Sequence, residues 1–221
     1  MRIAILDYGL GNLRSVEKAF AHLQADAALT EDPAAARSAA ALVLPGVGAF
    51  GDGMAGLKKR GLIEPLQEAV KAGKPVLGIC LGLQLFFERS SESPDVPGLG
   101  LLPGSVEKFS GADYASPGTP DAAPGQTAAA LLKVPHMGWN TLSFPAPHPL
   151  FAGLEEGVHV YFVHSFFVQP RMPGDVLAHS VYGRRFCAAA GRGKLYGCQF
   201  HPEKSQQAGL CILKNFAQMV K

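Results

Sequence analysis

In the first half of the chain, short apolar runs alternate with stretches of helical periodicity. Residues 3–6 (Ile-Ala-Ile-Leu) are apolar at every position, which predicts a strand buried on both faces. It ends at Asp7 and the turn Tyr8-Gly9-Leu10-Gly11. Asn12 then stands where a cap would start a helix carrying Leu13, Val16, Phe20 and Leu23 on one side. Residues 41–44 predict a second buried strand, which runs into Pro45-Gly46-Val47-Gly48. Leu62, Ile63, Leu66, Ala69 and Val70 mark another helix, stopped at Gly73 with Pro75 beyond. Residues 75–79 predict a third strand, and 81–89 a helix with Leu81, Leu85 and Phe86 turned inward. Strand, helix, strand, helix at this spacing implies parallel strands joined by right-handed crossovers.

The second half changes character. Residues 101–109, 158–168, 176–181, 186–190 and 195–200 are strand-like with little between them. They predict a mixed or antiparallel extension of the sheet. A last helix starts near Ser205, with Ala208, Cys211, Ile212, Phe216, Met219 and Val220 as its apolar face. Residues 111–130 are rich in Gly, Pro, Ala and Ser, which predicts a surface loop or insertion within one domain spanning residues 1–221.

Composition narrows the classes. The 221 residues are 48% apolar and 17% charged, enough for a sizeable buried core. A net charge of +2 without a basic stripe argues against a nucleic-acid partner. Lys58-Lys59-Arg60 reads as a solvated helix end. The longest apolar runs fall short of a membrane span, and the N-terminus lacks the pattern of a signal peptide. Cys80, Cys187, Cys198 and Cys211 form no Cys-x-x-Cys pair and no zinc-ligand spacing. Free thiols in a reducing cytoplasm are expected, with no metal or cofactor.

Gly78-Ile79-Cys80-Leu81-Gly82 is the most informative segment. A strand ends, one reactive side chain follows, and a helix begins, with glycine two residues to either side. That is the nucleophile-elbow arrangement with sulfur in place of hydroxyl. The helix N-terminus would favour a thiolate, and the Leu81 N–H points toward a developing oxyanion. A buried cysteine ending a core strand fits the same segment equally well.

His201-Pro202-Glu203 adds the missing chemistry. A thiol nucleophile needs a base, and the base needs an acceptor on its other ring nitrogen. Positions i and i+2 of an extended segment project to one side, so His201 and Glu203 are expected to stand together. Gly46, Val47 and Gly48 offer a second oxyanion donor if the peptide turns its N–H toward substrate, or else a plain tight turn.

Taken with these motifs, several longer blocks resemble the class I (triad) glutamine amidotransferases, and among them the glutaminase subunits of imidazole glycerol phosphate synthase. The blocks are residues 7–16 (Asp-Tyr-Gly-Leu-Gly-Asn-Leu-Arg-Ser-Val), 44–50 (Leu-Pro-Gly-Val-Gly-Ala-Phe), 78–84 (Gly-Ile-Cys-Leu-Gly-Leu-Gln), 134–140 (Val-Pro-His-Met-Gly-Trp-Asn), 161–166 (Tyr-Phe-Val-His-Ser-Phe) and 199–205 (Gln-Phe-His-Pro-Glu-Lys-Ser).

The resemblance implies a flavodoxin-like, three-layer α/β fold with a central mostly parallel sheet, an antiparallel or mixed extension and a nucleophile elbow. It implies Cys80 as nucleophile, His201 as base and acid, Glu203 as orienter, and Leu81 with Gly46, Val47 and Gly48 as oxyanion donors. Gln84, His164 and Ser165 would line the glutamine pocket. Asn12, His136, Met137, Trp139 and Tyr161 would face a cyclase subunit in a heterodimer. There, ammonia released from L-glutamine would serve to make imidazole glycerol phosphate and AICAR. Triad glutaminases of vitamin B6, purine or anthranilate synthesis share the elbow but lack the 7–16 and 135–140 blocks. A non-catalytic subunit would be expected to have lost at least one of Cys80, His201 and Glu203.

Overall fold

A strand that is apolar at every position has to be covered on both faces, and this requirement organises the chain. The computed structural model describes residues 2–114 and 131–220; most of the expected insertion, 115–130, lies outside the described residues. The order is β1 (Ile3–Leu6), α1 (Leu13–His22), β2 (Ala27–Thr30), α2 (Pro33–Ser38), β3 (Ala41–Gly46), α3 (Phe50–Lys59), α4 (Ile63–Lys71), β4 (Val76–Cys80) and α5 (Leu81–Leu85). Then follow β5 (Arg89–Ser90), β6 (Gly104–Lys108), β7 (His136–Thr141), β8 (His159–His164), β9 (Phe166–Pro170), β10 (Val176–Tyr182), β11 (Arg184–Arg192), β12 (Leu195–Cys198) and α6 (Gln206–Gln218).

Among the described residues the main sheet runs β2-β1-β3-β4-β12-β11-β9-β6-β5, with β10 beside β11. The first five strands in that order are parallel. Beyond β12 the pairs are antiparallel until the last, β6 with β5, which is parallel. β7 and β8 pair separately as an antiparallel ribbon. The alternation of strand side chains divides the core. Ile3, Ile5, Val43, Leu77 and Ile79 pack with Phe20 of α1 and Ile212 and Phe216 of α6. Ala4, Leu6, Leu42, Leu44 and Val76 pack on the other face with α2, α3, α4 and α5. Three layers result.

The structure departs from the sequence expectations in several places. β2 and α2 intervene before the strand expected as second, because Ala27–Thr30 is a half-buried edge strand with little apolar pattern. α3 was hidden by its glycines. Its buried residues, Phe50, Gly53, Met54 and Leu57, keep helical spacing. A Cβ on Gly53 would already stand 3.0 Å from Leu85. The helix expected over 81–89 stops at Leu85, since Phe86 and Phe87 turn their carbonyls to residues 100–102. The run 158–168 breaks at Ser165 into strands of two different sheets.

The expected caps also differ. Asn12 precedes α1 but makes no side-chain cap; its Oδ1 accepts from Ser15 Oγ at 2.9 Å. Ser205 precedes α6, yet its hydroxyl donates to the His201 carbonyl (2.7 Å) and accepts from Tyr161 N (3.0 Å). It ties the end of the sheet to β8 instead.

Candidate active site

β4 is buried along its whole length, which delivers Cys80 to its C-terminal end between β3 and β12. There the chain reverses sharply. Cys80 takes φ 54 and ψ −105, left-handed backbone that a side chain rarely adopts and that costs about 1–3 kcal/mol. The turn is possible only because its neighbours are glycine. A Cβ on Gly78 would lie 2.6 Å from the Phe86 ring and 2.7 Å from the backbone of Gly82 and Leu83. On Gly82 it would run into the Leu44 carbonyl, and on Gly46 into the Tyr8 hydroxyl. Leu81 opens α5, so its N–H has no acceptor within the helix. At five residues, α5 carries little dipole, and the electrostatics of the sulfur are set by closer groups.

The nearest charged partner comes from the other end of the chain. Past β12, the His201 N–H donates to the Tyr161 carbonyl at 2.9 Å, which fixes this segment on β8. The His201 Nδ1 and Glu203 Oε1 stand 2.9 Å apart, with side chains 2% and 1% exposed. The remaining ring nitrogen, Nε2, is buried and makes no hydrogen bond. The ring nonetheless senses Cys80. Burial alone would pull its pKa down, but the sulfur of Cys80 and the carboxylate of Glu203 outweigh that and push it up to about 10. Burial pushes the Cys187 and Cys198 thiols up and holds them protonated. A sulfur, an imidazole and a carboxylate are thus gathered beside a free backbone N–H at the C-terminal edge of a parallel sheet. Ligands commonly bind at that edge in such folds.

The family model for glutamine amidotransferase class-I matches residues 4–219. This chain belongs to the class-I glutamine amidotransferase family. It is 50% identical over 217 residues to the imidazole glycerol phosphate synthase subunit HisH of Syntrophotalea carbinolica, covering 98% of this chain and 100% of that protein. It is 45% identical over 219 residues to the subunit of the same name from Moorella thermoacetica, covering 99% and 95%. The solved structure of PurLQS from Thermotoga maritima superposes with a TM-score of 0.73 at 17% identity, over 100% of this chain and 99% of that one. At that identity the likeness bears on the fold.

Around the elbow of this amidotransferase the expected pocket residues have different standing. Gln84 is nearly buried; its Nε2 donates to the Phe166 carbonyl (3.1 Å) and to Gln199 Oε1 (3.2 Å). The His164 ring, expected to line the pocket, has no free nitrogen. Nδ1 donates to the Phe166 carbonyl (2.8 Å) and Nε2 meets His136 Nδ1 (3.0 Å). What its stretch of chain does offer is backbone, since the Val163 carbonyl lies 4.0 Å from the Cys80 sulfur. Ser165 is half-buried at the break between β8 and β9. Gly46 pairs in register with Cys80, Val47 is 39% exposed, and Gly48 has φ 103.

The expected partner surface also divides by strand alternation. On β7, Met137 and Trp139 point outward at 63% and 47% exposure, and Trp139 meets Tyr161 across the ribbon with ring centres 6.1 Å apart. Asn12 is half-buried. His136 belongs to the opposite face. It is 3% exposed and stacked between Phe162 and Tyr182, so its side chain takes no part in an exposed surface.

Among the described residues no group of His, Cys, Asp and Glu could hold a metal ion, and no helix is long and apolar enough to cross a membrane. Two residues near the sulfur were missed in the sequence. Gln199 donates to Cys80 Sγ at 3.7 Å, and the buried Tyr8 hydroxyl faces Gly46. No local pattern marks Gln199, whose amide reaches Cys80 across 119 positions.

Proposed function

We propose that this chain is the glutaminase subunit of an imidazole glycerol phosphate synthase, acting in the cytoplasm on L-glutamine and paired with a cyclase subunit as a heterodimer. The observation that carries the reading is the buried His201–Glu203 pair, 2.9 Å apart, whose imidazole is coupled to a sulfur on a strained elbow. The identity of half the chain to a named synthase subunit supports the pathway. Four free cysteines support the compartment.

In this reading the Cys80 thiolate attacks the side-chain amide carbon of glutamine. The Leu81 N–H and an N–H of the Gly46–Gly48 segment hold the oxyanion. His201, protonated on Nε2, gives that proton to the amide nitrogen; the C–N bond breaks and ammonia leaves. Water then attacks the thioester as His201 takes its proton, and the sulfur departs from glutamate. Glu203 keeps Nδ1–H in place throughout and offsets the charge on the ring. Released ammonia would be protonated in bulk water, so a partner enclosing its exit makes chemical sense.

Steady-state glutaminase assays of the wild type and Cys80→Ala, each with and without purified cyclase subunit, test the proposal. The expected result is turnover that requires Cys80 and rises with the partner. Undiminished turnover in Cys80→Ala ends the reading.

A further inference from the structure

The Cys80 sulfur has a neighbour that the sulfur–imidazole–carboxylate relay does not use. Gln199 is wholly buried, one residue past the end of β12, and its Nε2 stands 3.7 Å from Sγ. An amide presents an oxygen on one side and a nitrogen on the other, so everything turns on which faces the sulfur. The surrounding bonds decide it.

The Phe166 carbonyl oxygen can only accept. Gln84 lies 3.1 Å from it and must therefore turn its Nε2 toward it. That nitrogen has a second hydrogen, which points to the side chain of Gln199 at 3.2 Å and requires an oxygen there. With its oxygen committed to Gln84, Gln199 has its N–H₂ left for Cys80. The same carbonyl takes the Nδ1–H of His164 at 2.8 Å, so it is held in place from two sides. Turning the Gln84 amide over would set its oxygen against the Phe166 oxygen, and turning Gln199 over would set two N–H₂ groups against each other.

A neutral thiol gains little from an N–H donor, because the sulfur of an S–H group is a weak acceptor. A thiolate gains much more, since hydrogen bonds to an ionised acceptor are about twice as strong as neutral ones. We propose that Gln199 is a further catalytic residue of this site, its side-chain N–H donating to the Cys80 sulfur and favouring the thiolate, with Gln84 as the positioning residue that fixes its amide. The inference rests on Cys80 being the nucleophile. It gives the sulfur a donor opposite in kind to His201: fixed, uncharged and unable to take the proton away. It also places a pocket residue, Gln84, one hydrogen bond from the group that tunes the nucleophile.

The test is the pH profile of Cys80 alkylation by chloroacetamide, read by mass spectrometry of the modified peptide, with glutaminase kinetics measured separately in the presence of the cyclase subunit. For Gln199→Leu the alkylation midpoint is expected to rise by about one to two pH units, and kcat to fall about tenfold to a hundredfold with KM nearly unchanged. Gln199→Glu keeps the shape but sets a carboxylate beside the sulfur, and should raise the midpoint at least as far. Melting curves establish that each variant is folded. Should either fail to fold, the wild type carries the test. The Gln199 side-chain amide resonance should titrate with the Cys80 alkylation midpoint and lose that titration in Cys80→Ala.

A folded Gln199→Leu variant with an unshifted midpoint would overturn the proposal, as would an amide resonance indifferent to the state of the sulfur. Alkylation reads the thiol whether or not glutamine is turned over. Failure of this inference is thereby distinct from failure of the glutaminase reading, which would appear as full turnover in Cys80→Ala.

Discussion

Acidification should destabilise this protein through two particular histidines. The Phe166 carbonyl takes the Nδ1–H of His164, which leaves His164 Nε2 as an acceptor for the Nδ1–H of His136 at 3.0 Å. His136 Nε2 must then accept, and Asn140 Nδ2 lies 3.2 Å away, giving its other hydrogen to the Val181 carbonyl at 2.8 Å. Every ring nitrogen is satisfied with both rings neutral. A proton added to either Nε2 would meet an N–H already pointing at it. Burial adds to this, holding His136 down to about 4. It holds His164 to about 3, with the neighbouring His136 and His201 also lowering it against the pull of the Phe166 carbonyl.

The sign follows from linkage. An unfolded chain protonates both rings near pH 6.5, whereas the folded chain does not until about pH 4 and below. Each ring therefore removes about 1.4 kcal/mol of stability per pH unit below 6.5, and nothing above it. Down to pH 4 the two together reach roughly 7 kcal/mol, comparable with the whole stability of a typical domain. His201 works with the opposite sign. Its folded pKa is raised to about 10, so its contribution is complete below 6.5 and is lost as pH rises toward 10. Urea unfolding at pH 7, 6, 5 and 4.5, with the histidine ring resonances followed by NMR, measures both quantities. Two ring resonances should stay neutral through pH 5 while stability falls steeply. If all rings titrate near 6.5 and stability is flat, the bonded neutral pair is wrong.

Three further outcomes are expected. Glu203→Gln keeps the shape of the side chain but removes the charge beside His201 Nδ1; kcat for glutamine hydrolysis should fall about 10³- to 10⁴-fold with KM little changed in steady-state assays. Gly82→Ala drives a Cβ into the Leu44 carbonyl, and should lower stability by about 2–3 kcal/mol in urea titrations, whereas a loss below about 0.5 kcal/mol would mean that the elbow relaxes easily. Trp139→Ala removes an exposed aromatic from the β7–β8 ribbon; calorimetry with the cyclase subunit should show affinity weakened by about 2 kcal/mol or more, with the melting of the isolated chain unchanged.

The parts legible in the sequence were those in which residue type and spacing leave few physical uses. Ile3–Leu6 could only be a strand covered twice. Gly78, Cys80 and Gly82 fitted an elbow and a buried core cysteine equally well; the structure decides for the elbow, since a Cβ at either glycine would strike backbone. His201 and Glu203 were expected side by side on an extended segment; they do meet, but across the start of a single 3-10 turn, Pro202–Lys204, and not by strand alternation. What stayed hidden depended on partners far away in sequence. The glycines of α3 look like helix breakers until Leu85 and the Tyr8 carbonyl are seen lying against Gly53 and Gly56. β7 alternates only Met137 and Trp139, which face outward and not into the core, and it becomes a strand only through β8. His136 and His164 read as surface or pocket residues because nothing local shows that each satisfies the other. Gln199 was quoted within a motif, yet its role lies in a contact across 119 positions.

The distribution of unsatisfied groups carries a separate argument about where the chemistry lies. Among the described residues five buried polar side-chain atoms lack a hydrogen-bond partner, and two of them are His201 Nε2 and Glu203 Oε2. A third, the Tyr8 hydroxyl, faces Gly46, whose backbone pairs with Cys80. Each such atom costs about 1–3 kcal/mol, and the left-handed backbone of Cys80 adds a similar amount. A chain shaped by stability alone would spread such costs or remove them. Here three of the five gather at one strand end, the other two lying on β10, and the three are held there by strands buried on both faces that cannot shift to relieve them. The stiffness of the parallel sheet is therefore a condition of the chemistry: a softer β4 would let Cys80 relax out of its strained turn, and the sulfur would lose both His201 and Gln199 at once.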